Sequence, residues 1–281
     1  MAGDSQGDGA PLRGTAPAYR RVGHKGADAI AEGNTVESFE AAVATGVDMV
    51  ELDVLRDREG RFVIAHDPHD ALSRRPLTLS EALDAFLAPP LDQVEIDCDL
   101  KLPGREAELA GALTGRGLIE RAMVSTMEVE SLQKLRLLEP NLRLGWTYPK
   151  TRRDWTQHGW AVPGIAAGLA AMRRRFPKHL AAKAPQLDVD AVWAYHQIVT
   201  PKLVEAAEAT GIELIAWTVD ELDRMVELLE MGVHGVVSND PRLFAEAERI
   251  ADGGAPASEP EANGDEKESK GAKKETKGAK G

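Results

Sequence analysis

The run Val50-Glu51-Leu52-Asp53-Val54 alternates apolar and acidic residues. Side chains of a strand alternate between its faces, so Glu51 and Asp53 share one face and the three aliphatic residues share the other. Two neighbouring carboxylates repel and raise each other's pKa unless a cation lies between them. The pair therefore reads either as a metal half-site or as the solvated face of an edge strand. A second run, Val94 to Lys101, follows the same rule. Glu95, Asp97, Asp99 and Lys101 fall on one face, and Val94, Ile96, Cys98 and Leu100 on the other. Three acids and a lysine do not make a dry core. Either this strand lies at a surface or its C-terminal end, with Asp99 and Lys101, lines a polar site. Glu51, Asp53 and Asp99 together offer an all-oxygen ligand set, suited to Mg²⁺, Ca²⁺ or Mn²⁺ rather than zinc. Such an ion, with Lys101, suits a phosphate group. Cys98 reads as a small buried hydrophobe, not a nucleophile.

His24 and His66 each close an apolar run beside these acids, and histidine is the usual proton carrier near neutral pH. His69, His158, His196 and His234 lack comparable neighbours, although His196 ends a strand-like run and could line the pocket. Val54 and Phe62 are too close for a parallel crossover, so the runs around them should form an antiparallel hairpin. A two-residue turn at Glu59-Gly60 would pair Arg58 with Arg61 and, counting back, Asp53 with His66.

Positioning these residues takes a repeating framework. Strand-like runs occur at 21–24, 49–54, 62–65, 94–100, 122–125, 142–147, 191–195, 213–219 and 235–238. Helix-like runs lie at 36–45, 79–87, 106–116, 129–138, 165–176, 201–210 and 221–231. Ser80 and Pro201 read as helix starts, and Gly46, Gly117, Gly211 and Gly232 as helix stops. Alternating strands and helices predict a parallel sheet, and the size of the block fits a (β/α)₈ TIM barrel with a β-hairpin after its second strand. That barrel is expected over residues 19–250. Residues 1–18 and the charged tail 251–281 hold too few large apolar side chains to offset ordering entropy and are expected to be unstructured. The net charge of −12 argues against a nucleic-acid partner. The single cysteine excludes an internal disulfide. No signal-like start and no run long enough to span a bilayer predict a cytoplasmic protein without a transmembrane segment.

Several motifs, in order, resemble those of the glycerophosphodiester phosphodiesterase family. They are His24-Lys25-Gly26, Gly33-Asn34-Thr35-Val36-Glu37-Ser38-Phe39, Glu51-Leu52-Asp53-Val54, His66-Asp67, Asp99-Leu100-Lys101, Ala216-Trp217-Thr218-Val219-Asp220 and the stretch from Gly232 to Pro241. The resemblance spans roughly residues 20–245. It implies a barrel like that of the phosphatidylinositol phosphodiesterases. It implies that His24 and His66 form an acid–base pair, and that Glu51, Asp53 and Asp99 hold a divalent cation. Lys25 and Lys101 would contact phosphate, and Trp217 would shape the alcohol side of the pocket. The implied substrate is a small glycerophosphodiester, cleaved to glycerol 3-phosphate and an alcohol in phospholipid catabolism. Lys25 stands where the family usually has Arg, Gly33 where it has Glu, and Asp99 where it has the longer Glu. The first two changes read as an Arg–Glu pair lost on both sides. The competing readings are a lysophospholipase D-like phosphodiesterase, a non-catalytic phosphate- or metal-binding module, and an interaction protein acting through the tail.

Overall fold

The computed structural model describes residues 19–150 and 162–254. The expectations placed on residues 1–18 and 255–281, and on His158, lie outside the described residues. Among the described residues nine strands form in chain order: β1 (Arg20–Gly23), β2 (Met49–Arg56), β3 (Phe62–Ile64), β4 (Glu95–Leu100), β5 (Ala122–Thr126), β6 (Arg143–Tyr148), β7 (Ala191–Tyr195), β8 (Glu213–Trp217) and β9 (Gly235–Ser238). All but β3 pair in parallel with their neighbours, in the order β1-β2-β4-β5-β6-β7-β8-β9, and β9 pairs back to β1. The ring is the expected (β/α)₈ barrel. Crossover helices include α1 (Val36–Ala44), α4 (Glu106–Thr114), α5 (Val129–Leu138), α6 (Val162–Leu187), α7 (Pro201–Thr210), α8 (Leu222–Glu230) and, after the last strand, α9 (Leu243–Ala251). Two shorter helices, α2 (Asp70–Ser73) and α3 (Leu79–Ala85), lie between β3 and β4.

Local chemistry explains most boundaries. Thr35 starts α1 through a reciprocal capping box with Ser38. Thr78 does the same for α3 with Glu81, so the start lies two residues before the expected Ser80. Gly46, Gly117, Gly211 and Gly232 all take positive φ, as expected of helix stops. Helix α6 runs well past the expected 165–176. Phe176, Leu180, Ala184 and Leu187 recur on one buried stripe, and this packing carries the helix through Pro177 and Pro185.

Alternation along the strands sorts the side chains into two layers. Val50, Leu52, Val54, Ile96, Cys98 and Leu100 pack outward in the large core beneath the helices. Val22, Met49, Met123, Trp193, Ile215 and Val237 fill the barrel interior. At the N-terminal end of the strands Arg20 and Arg143 each bridge Glu95 and Glu213, at 3.0–3.2 Å. Glu95 thus belongs to the barrel floor, at the opposite end of β4 from Asp99.

The hairpin forms, with a register different from the one expected. Val54, Leu55 and Arg56 face Ile64, Val63 and Phe62, and Ala65 N–H donates to the Asp53 carbonyl. The loop holds three residues, Arg58-Glu59-Gly60. Asp57 N–H bonds the Arg61 carbonyl at 3.0 Å, and Gly60 N–H bonds the Asp57 carbonyl at 3.1 Å. Gly60 takes φ +80°, the left-handed residue that a three-residue hairpin loop needs. One extra loop residue shifts the pairing by one, so Asp53 faces Ala65 and His66 lies just beyond the ladder. Replacing Gly60 with Ala puts a Cβ at positive φ. The expected cost is about 1 kcal/mol of stability, with Gly60→Asn costing less, as read from urea unfolding.

Candidate active site

Parallel pairing places Glu51 beside Asp97 and Asp53 beside Asp99. Four acids thus form one patch on two neighbouring strands, facing the barrel interior. One carboxylate oxygen from each of Glu51, Asp53 and Asp99 lies within 4.8 Å of the others. Asp53 is fully buried and Glu51 is 3% exposed. At that spacing, each carboxylate pair repels by about 3–4 kcal/mol at an effective dielectric near 20. Burial, then the charge of Asp53, pushes the Glu51 pKa well above the usual carboxylate range. Burial would push Asp53 up too, but Lys101, then His24 and His66, overcome it and hold Asp53 low. Lys101 reaches back from the end of β4 to pair with Asp53 and Asp99. Its burial opposes its charge, and the carboxylates more than restore it. One lysine against three clustered acids leaves a deficit of positive charge. An all-oxygen donor set with that deficit fits a hard divalent cation.

The loop between β1 and α1 braces this cluster. Lys25 N–H donates to Glu51 Oε2 at 2.7 Å. Asn34 is fully buried and holds Asp53 twice: its amide donates to Oδ2 at 2.8 Å, and its Oδ1 accepts the Asp53 N–H at 3.0 Å. Lys25 and Asn34 sit at φ 49° and 62°, a conformation non-glycine residues adopt at a cost. The departures at 25 and 33 have a structural answer. Asp28 pairs with Lys25 Nζ at 3.3 Å and accepts the Gly33 N–H at 2.9 Å. A Cβ on Gly33 would lie 2.4 Å from Asp28 Oδ1. Lys25 therefore has an acidic partner in Asp28, in a loop where position 33 carries no side chain.

The two imidazoles flank the cluster from different elements. His24 follows β1. Its Nδ1 lies 2.6 Å from Asn239 Oδ1, and its Nε2 lies 4.0 Å from Glu51 Oε2. Burial lowers its pKa. His66 is 53% exposed, with Nδ1 3.4 Å from Asp67 Oδ2. Its backbone N–H is held by Asp70, and Asp70 is held by Arg74, which also reaches the Gly33 and Ile64 carbonyls. Arg74 thereby ties the His66 loop to the β1–α1 loop. Trp217, at the end of β8, donates its indole N–H to the Trp193 carbonyl and packs 5.6 Å from the Tyr195 ring. His196 packs on Tyr195, and burial, then Arg224, brings its pKa down to about 4. His234 accepts the Leu214 N–H, a structural role. Sequence reasoning gave no role to Asp28, Asn34, Asp220 or Asn239. Asn34, Asp220 and Asn239 lie inside quoted motifs, whereas Asp28 carries no local signal.

Asp97, one layer below, is fully buried and bonded to Ser125 at 2.6 Å, and its other oxygen has no hydrogen-bond partner among the described residues. Burial pushes its pKa well above the usual range.

Barrel and cluster define a (β/α)₈ protein with an acidic, cation-suited cluster at the C-terminal mouth, where enzymes of this fold place their chemistry. The chain belongs to the glycerophosphoryl diester phosphodiesterase family, whose sequence model matches residues 24–75 and 95–243. A glycerophosphodiester phosphodiesterase of Caldanaerobacter subterraneus is 25% identical over 262 residues, covering 81% of this chain and 97% of that protein. One of Bacillus subtilis is 21% identical, covering 81% and 86%. Among solved structures, a phosphodiesterase of Oleispira antarctica in complex with its product sn-glycerol 3-phosphate superposes with TM-score 0.60 at 18% identity, covering 82% of this chain and 96% of that one. A glycerophosphodiester phosphodiesterase of Parabacteroides distasonis gives TM-score 0.63 at 16% identity, covering 84% and 97%.

Two outcomes follow from the bracing. Asn34→Ala removes both hydrogen bonds to Asp53 and is expected to weaken Mn²⁺ affinity about 10- to 100-fold in calorimetric titration. Asp97 is ordinarily ionised above about pH 4 in an unfolded chain. Its folded pKa is raised, so its contribution to stability is complete below that pH and is lost as pH rises through the folded value. Asp97→Asn should abolish that part of the loss, measured as unfolding free energy against pH in the presence of chelator.

Proposed function

We propose that this protein hydrolyses glycerophosphodiesters to glycerol 3-phosphate and an alcohol, in phospholipid catabolism. The observation that carries the reading is the meeting of Glu51, Asp53, Asp99 and Lys101 between two imidazoles at the barrel mouth. Membership in the family, and the product named in the Oleispira structure, support it. Glu51, Asp53 and Asp99 would hold a divalent cation, Mg²⁺ or Ca²⁺ with Mn²⁺ as a third candidate. The ion would neutralise a phosphate oxygen and polarise the P–O bond. Lys101, held charged by its carboxylate partners, offers a second contact to the phosphate, and Lys25 a third at the rim. His24 takes the proton of the attacking hydroxyl, from water or the neighbouring glycerol oxygen. His66, exposed at the mouth, gives a proton to the departing alcohol. Trp217 and Tyr195 form an apolar wall for one end of the substrate. Among the described residues no helix is long and apolar enough to cross a membrane. A cytoplasmic location, with the barrel as one domain over residues 19–250, is part of the same proposal.

A second reading has one specific observation. Ile30, Leu72 and Leu102 are large, apolar and exposed, Leu72 on α2 and the other two on the loops that follow β1 and β4. Such a rim would suit the acyl chain of a lysophospholipid.

A panel of glycerophosphodiesters and lysophospholipids, assayed after chelation and again with Mg²⁺, Ca²⁺ or Mn²⁺ restored, separates the readings. Turnover of glycerophosphocholine or glycerophosphoethanolamine that disappears with chelator is expected. Alanine at His24 or at His66 should lower kcat about 10²-fold or more. Normal rates in both variants would remove the acid–base assignment, and metal binding without turnover of any member would leave a binding module.

A further inference from the structure

We propose that Asn239, fixed by Asp220, is a positioning residue that sets the tautomer of His24, so that Nε2 is the atom that exchanges a proton during the reaction. The inference rests on the role given to His24 above.

A carboxylate can only accept hydrogen bonds. The Asp220 carboxylate accepts three: from Asn239 N–H at 2.8 Å, from Asn239 Nδ2 at 2.6 Å and from Ser238 Oγ at 3.1 Å. The NH₂ group of Asn239 is thereby committed to Asp220, and its oxygen is left facing His24. That oxygen lies 2.6 Å from His24 Nδ1. An amide oxygen also only accepts, so Nδ1 must carry the hydrogen. Whenever the ring holds one proton, its lone pair is then on Nε2. Nε2 is the nitrogen on the carboxylate side, 4.0 Å from Glu51 Oε2.

The backbone holds this geometry as well. His24 N–H donates to the Ser238 carbonyl at 2.9 Å, and Ala29 N–H donates to the Asn239 carbonyl at 3.0 Å. Ring and amide are therefore clamped to one another through β1, β9 and the loops that leave them. During the proposed reaction the Nε2 lone pair takes the proton of the nucleophile as its oxygen bonds phosphorus, while the P–O bond to the leaving alcohol breaks and that oxygen takes its proton from His66. The Nδ1–H bond to Asn239 stays intact, and the charge of Asp220 offsets the imidazolium that results. The arrangement does the work of a carboxylate–histidine pair with an amide interposed. Asn239 acts only through His24, so its effect should fall on turnover and not on substrate affinity.

The relay makes a rescue experiment available. In Asp220→Asn, the Asn239 backbone N–H keeps the one remaining oxygen at the place of Oδ1, so two NH₂ groups face each other. The Asn239 amide must turn, present its NH₂ to Nδ1, and move the ring hydrogen to Nε2. The double variant D220N/N239D exchanges the two side chains. The amide introduced at position 220 then donates to the carboxylate introduced at position 239, and that carboxylate again accepts from Nδ1–H. Full-length protein labelled with ¹⁵N-histidine reports the tautomer from long-range ¹H–¹⁵N correlations at a pH where the ring is neutral. The expected results are Nδ1–H in the wild type, Nε2–H in D220N and Nδ1–H again in the double variant. D220N should lower kcat about 10²-fold or more with KM within about threefold, and the double variant should recover to within about tenfold of wild type. N239A should match D220N in kcat. An unchanged tautomer and kcat in D220N, or a double variant no better than the single one, overturns the proposal. If the wild type turns over no glycerophosphodiester yet the tautomers follow this pattern, the relay stands and the functional reading fails.

Discussion

The structure turns on like charges gathered where water is scarce. Two neighbouring strands, β2 and β4, bring Glu51, Asp53, Asp97 and Asp99 onto one interior patch. Each answers the repulsion differently. Asp53 and Asp99 share Lys101, Glu51 is pushed toward its neutral form, and Asp97 does the same with Ser125 as its partner. This is poor packing chemistry and good binding chemistry. A dication entering the three-carboxylate cluster would relieve the repulsion, and the energy spent in gathering the acids would be returned on binding.

The lower half of the barrel keeps that patch in place without supplying reactive groups. The floor is sealed by a closed circuit of two arginines and two glutamates, and the space above it is filled by Met49, Met123, Trp193 and Ile215. Against this fixed lower half, the β1–α1 loop does the fine placement. It holds Lys25 and Asn34 in unfavourable backbone conformations that are tolerated because each makes a hydrogen bond to a carboxylate of the cluster. The cost of local strain and the benefit of a rigid site fall on the same residues.

Much of this was legible in the sequence because strands write their faces in alternation. Glu51, Asp53, Asp99 and Lys101 could be placed on one side, and Cys98 on the other, from parity alone. The wrap of helices around the strands followed from spacing. What failed depended on a single residue of loop length or on distant partners. The hairpin register hinged on whether Gly60 closed a two- or a three-residue turn, and both are compatible with Glu-Gly. Helix α6 overran its expected end because a buried stripe outweighed two prolines. Asn239 gains its meaning from His24, which lies 215 positions away in the chain, and Asp220 acts on that histidine only through Asn239. Asp28 is defined by the shape of the loop that brings it to Lys25 and Gly33. Asp220 and Asn239 stand inside quoted motifs that do not reveal what they do, and nothing in a local window distinguishes Asp28 from a solvated polar residue.

The pairing of Lys25 with Asp28 has an evolutionary corollary. A side chain at 33 would meet the Asp28 carboxylate, with Oδ1 2.4 Å from its Cβ, so the two positions are expected to change together and not independently.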